Sequence, residues 1–320
     1  LFFSVPYLGI QLRASGVLFN ILTDGLFSVN VGMWMLAIIV TLYVALGGLR
    51  SVAYVDTAQC VLLWGGIVAL GLIGVNFAGG WDGMTSKYGD IVAWINSGGA
   101  EVPKWADPEA AKVFLENKAS IFKITPAGYS HFVAVPGVIQ FVSAGPKAVG
   151  GTWTGVMVLT YMFALMGIHA SPAFSMWAFA NKNPKPFPLQ QVWASTLGIG
   201  FALFIFTTMQ AMGGWVMTLL KPEGMTETVL PLANLVGGKQ ANLVPYLIHL
   251  MKDSYPFVVG LLAICALAAM QSTGAAYMST ASGMLTRDIV KKYFKKDMTE
   301  TEQTHWGRIT VMIVVGSALI

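Results

Sequence analysis

Between Ser254 and Thr286 the chain runs for 33 residues without one charged side chain. A helix needs about 20 apolar residues to cross a bilayer, so this run can span one with tilt to spare. Lipid offers no partners for backbone groups, and a helix satisfies its own. Further uncharged stretches lie at 25–49, 148–181 and 186–220. Only 11% of the 320 residues are charged and 55% are hydrophobic, with a mean hydropathy of +0.65. Soluble domains carry about 25% charged residues, so the composition predicts an all-α integral membrane protein.

Read in order, the pattern predicts seven spans: 1–21, 28–48, 55–78, 152–180, 189–220, 254–284 and 307–320. The second ends at Gly47-Gly48, and a tight hairpin over Arg50 to Asp56 leads into the third. Two longer polar segments, 79–150 and 221–253, are expected as extracellular loops. The first carries a soluble-type helix, in which Asp107 caps, Pro108 opens and Glu109 supplies a first-turn acid for a run to about Lys118. The second includes an amphipathic stretch over Ala241 to Lys252. The loops 49–56, 181–188 and 285–307 hold Arg50, Lys182, Lys185 and the cluster from Arg287 to Arg308 close to helix ends, which assigns them to the cytoplasm. Leu1 and Ile320 both fall within apolar segments, and the expectation is an internal piece of a longer multi-pass protein of the cell membrane.

On the long uncharged run, Ala269, Ser272, Thr273, Ala276 and Thr280 recur at helical spacing as a stripe of small and hydroxyl side chains. Such a stripe serves helix packing, or it offers neutral oxygens to a hard monovalent ion. Its surroundings decide between the two. The segment AAMQSTGAAYMSTASGMLTRDIVKKYF resembles the eighth core helix and following cytoplasmic loop of the sodium:solute symporter family. Gly47-Gly48-Leu49-Arg50-Ser51-Val52-Ala53-Tyr54-Val55-Asp56-Thr57-Ala58-Gln59 resembles that family's hairpin between its fourth and fifth core helices.

The resemblance implies the leucine-transporter-type fold of two inverted five-helix repeats, with these spans as core helices three to nine. It implies a sodium site at Ala269, through its carbonyl, and at the Ser272 and Thr273 hydroxyls. Neutral oxygens suffice for a monovalent cation. Asp56 matches the family's aspartate on the inward ion path; as a residue it also reads as a first-turn acid of its helix. The stretch around Gly167 departs from the sugar carriers, whose asparagine and gating tyrosine appear as Met162 and Leu165. Buried sugar hydroxyls left unpaired cost about 1–3 kcal/mol each, so a sugar is disfavoured.

Pro172 frees the carbonyl of Ile168, which predicts a helix break beside Gly167, with His169 and Ser171 at the break as substrate-binding candidates. His169 also reads as a structural histidine. Arg13 sits in mid-span, where arginine is costly and faces a cavity or a partner. Pairing with a substrate carboxylate is one reading; helix-end carbonyls or snorkelling are the other. The first points to a small organic solute bearing a carboxylate, a monocarboxylate or an amino acid.

The function expected is sodium-coupled symport by alternating access, with sodium as coupling ion and no cofactor, enzyme activity or nucleic-acid partner. The same fold could serve instead as the membrane sensor of a signalling protein. A proton-pumping or enzymatic role would need series of intramembrane acids, lysines or histidines, which the spans lack. Cys60 and Cys265 fall within predicted spans as small apolar groups, with no metal or disulfide spacing.

Overall fold

The computed structural model describes residues 4–97, 99, 101–116, 170–183, 185, 187–223, 226–235 and 239–320, with isolated positions at 134–135, 139–140, 159, 162–163 and 167. Most of the predicted fourth span therefore lies outside the described residues. The described chain is almost wholly helical. The helices are α1 (Ser4–Leu22), α2 (Val29–Phe77), α3 (Gly80–Asn96), α4 (Pro108–Glu116), α5 (Pro172–Ala180), α6 (Pro188–Leu219), α7 (Leu243–His249), α8 (Pro256–Phe294) and α9 (Glu300–Leu319). Ala134–Val135 and Ile139–Gln140 pair as a minimal antiparallel ladder. Among the described residues, α2, α6 and α8 are long and apolar enough to cross a membrane.

The chain divides into two compact units. The first unit holds Leu1–Gly66, Ala170–Pro184 and Pro256–Ile320. Its core joins Leu8 and Leu12 of α1, Leu36, Val40 and Val52 of α2, Ala275, Met278 and Ala281 of α8, and Val311 and Val314 of α9. The 49 residues of α2 do not run straight. Gly48 takes φ 60° and ψ −159°, a conformation barred to side chains with a Cβ. Tyr43 and Gln59 would stand about 24 Å apart on an unbroken helix. Both nevertheless reach Gln271 of α8, through the Tyr43 hydroxyl and the Gln59 amide. The chain folds back at Gly48, so the hairpin expected over Arg50 to Asp56 contracts to the glycine pair, and helical turns resume at once.

Two further boundaries move. The loop expected from residue 285 continues helically to Phe294, in wide i→i+5 turns. The last helix begins earlier than expected, at a capping box: the Thr299 hydroxyl accepts from the Glu302 amide, and the Glu302 carboxylate accepts from the Thr299 amide. The seventh span thus gains a charged first turn that hydropathy alone left in the loop.

The second unit holds Ile67–His169 and Lys185–Tyr255. Met84, Ile91, Trp94 and Ile95 of α3 pack with Phe114 of α4 and Trp215 and Leu219 of α6. Phe114 meets Trp94 and Trp215 at ring separations of 5.7 and 5.8 Å. The predicted cap is present, with Asp107 Oδ2 accepting from the Ala110 amide at 2.9 Å. The Asp107 amide in turn donates to Leu219 O, and its carboxylate pairs with Lys221, which ties the start of α4 to the end of α6. Gly74 and Gly213 lie back to back, and a Cβ on Gly213 would fall 2.5 Å from Gly74 O. The amphipathic stretch of the later polar segment shortens to Leu243–His249.

Candidate functional site

The tightest packing of α8 is carried by Ala268, Ala275, Met278 and Ala281, all 3% exposed or less. The hydroxyl stripe flanks that contact. Ala269, Ser272, Thr273 and Ala276 are each half-buried, while Thr280 is buried and donates to Ala276 O and to Met176 Sδ. Packing therefore rests mainly on residues other than the proposed oxygen donors, which leaves Ser272 and Thr273 free for polar work.

The fold-back of α2 brings Asp56 to the same face of α8. Ser272 lies against the Asp56 carboxyl group. Asp56 is half-buried, and its Oδ1 is fully buried without a hydrogen-bond partner. One turn on, Gln59 Nε2 donates to Gln271 Oε1 at 2.7 Å, and Gln59 Oε1 is likewise buried and unpartnered. The Tyr43 hydroxyl adds a longer bond to Gln271 O at 3.4 Å. Unpaired buried acceptors are uncommon because each forfeits its hydration. A desolvated cation is what such oxygens attract. Among the described residues no three His, Cys, Asp or Glu side chains gather, so a site built of several charged ligands is not formed there.

Ser272 and Asp56, named from the sequence, thus come together, with Ala269 and Thr273 on the same stretch of α8. Gln59 and Gln271 were not anticipated as functional, although Gln59 ends the hairpin segment and stands three residues after Asp56. The substrate candidates are more scattered. Arg13 is exposed on α1, outside the stripe of Leu8, Leu12, Ser15 and Gly16 that packs inward. Ser171 is half-buried at the N-cap of α5, with its hydroxyl oxygen buried and unpartnered. Pro172 occupies the first turn of that helix, so the break expected there takes the form of a helix start. Gly167 is exposed with open space around it. His169 lies outside the described residues.

A search of curated proteins finds no match to this sequence. The model of the sodium:solute symporter family, in contrast, matches residues 1–320, the whole chain. Taken with the helical membrane architecture and the hairpin and hydroxyl-stripe segments, that match means that the chain belongs to the sodium:solute symporter family.

Proposed function

We propose that this chain carries a small, carboxylate-bearing organic solute together with sodium, by alternating access in a leucine-transporter-type helix bundle. Family membership supports sodium-coupled symport of a solute. The observation that carries the site is Ser272 set against Asp56, whose Oδ1 is buried without a partner.

In this reading sodium is a transported co-substrate, and no bond is made or broken. The Ala269 carbonyl and the Ser272 and Thr273 hydroxyls replace part of its hydration shell. Asp56 adds a formal charge at low dielectric, which strengthens its pull on a departing ion. The ion then leaves along the Asp56 side, with the loops at 49–56, 181–188 and 285–307 facing the cytoplasm. Arg13 is the candidate partner for the substrate carboxylate, and Gly167, His169 and Ser171 are the other substrate-binding candidates.

Uptake of a labelled monocarboxylate and amino-acid panel into proteoliposomes holding the full-length protein tests this. Uptake of at least one carboxylate that collapses when the sodium gradient is dissipated is expected. Arg13→Gln is expected to weaken that uptake, and unaltered anion uptake in the variant would remove Arg13 from the site. Uptake indifferent to sodium would remove the coupling.

A further inference from the structure

Asp56 Oδ1 and Gln59 Oε1 are both fully buried acceptors with no hydrogen-bond donor. They belong to residues three apart on one helix, whose side chains are neighbours on one face. Both face consecutive residues of α8, since Gln59 bonds Gln271 and Asp56 lies against Ser272. Gln59 is only 6% exposed. Its Nε2 is committed to Gln271, which holds the amide in place and leaves its oxygen as the open end. Two buried, unpartnered oxygens, one neutral and one acidic, on one face of the helix call for a cation rather than for another acceptor.

We infer that Gln59 Oε1 is a ligand for the coupling cation, acting with Asp56 Oδ1 beside the Ser272 hydroxyl. The inference rests on the sodium-symport reading and adds to it a residue that sets ion preference. An amide oxygen does not protonate near neutral pH, yet it replaces water well around a hard metal ion. Placed next to Asp56, it biases the pair towards sodium. Gln271 is a positioning residue: its Oε1 accepts from Gln59 Nε2 and so holds the Gln59 amide in place.

The test is sodium-dependent uptake by the full-length protein in proteoliposomes. Gln59→Leu is expected to raise the sodium concentration for half-maximal uptake about tenfold, the lower end of what losing a metal-site partner does. Gln271→Leu breaks the amide pair but keeps the Gln59 oxygen, and is expected to shift the value less. Equal shifts in the two variants would overturn the ligand role and leave only a clamp between helices. An unchanged sodium requirement in Gln59→Leu, against a wild type that is sodium-driven, would also overturn it. A wild type that is not sodium-driven would instead bring down the underlying symport reading. Should Gln59→Leu fail to reach the membrane, Gln59→Glu is read in its place. A sodium requirement at or below wild type supports the inference, and a raised one overturns it.

Discussion

Thr299 and Glu302 show how far one residue pair can govern a helix end. Lys295, the Thr299 backbone and the Thr299 hydroxyl all bond the Glu302 carboxylate, and together they hold its pKa down to about 2. The folded value lies below the ordinary carboxylate value, so the contribution is present above the ordinary range and is lost as pH falls towards 2. The first turn of α9 should accordingly stay protected against amide exchange at pH 4 and open near pH 2. In Thr299→Ala combined with Lys295→Met, opening should begin near pH 4 instead. An identical pH profile in that variant would remove these two partners from the account. The capping box was present in the sequence as Thr299-x-x-Glu302. Hydropathy does not mark it, because Glu300, Glu302 and Arg308 put charge into the first turns of the helix.

At the scale of elements, the glycine pair in α2 matters most. Gly48 adopts a left-handed φ of 60°, where a Cβ costs about 1–2 kcal/mol. At Gly47 an added Cβ would fall 2.1 Å from the Ser51 Cβ. Gly48→Ala should therefore lower thermal stability in detergent and loosen the contact of Tyr43 and Gln59 with α8, and an unshifted melting curve would contradict the fold-back. In the second unit, Asp107→Ala should cost about 1 kcal/mol through loss of its cap, with the added loss of the Lys221 pair. Asp107-Pro108-Glu109 made α4 legible in advance. The helix α3 was equally written in the sequence, since Met84, Tyr88, Ile91 and Ile95 fall at helical spacing and are all buried. Lys87 and Asp90 between them hide it from hydropathy, because an amphipathic helix lacks the uniform apolarity that marks a span.

For the whole molecule, apolar runs located the long helices well, since bilayer thickness imposes their length. They could not bring together the residues of the proposed ion site. Ser272 and Asp56 are more than two hundred residues apart, and only the reversal at Gly48 puts α2 against α8 at that level. The unpaired oxygen of Gln59 was invisible for the same reason: a glutamine inside an apolar span reads as a tolerated polar residue until its neighbours are known. Family membership then ties these pieces to sodium-coupled solute transport across a membrane. The central claim is that the oxygens on α8 near residue 272 bind the ion whose gradient drives the solute. The direct measurement is the sodium concentration for half-maximal solute uptake in proteoliposomes, compared between wild type and Ser272→Ala/Thr273→Ala. A rise of about tenfold or more is predicted, with uptake recovering at high sodium. The same half-maximal sodium concentration in both proteins would contradict the account.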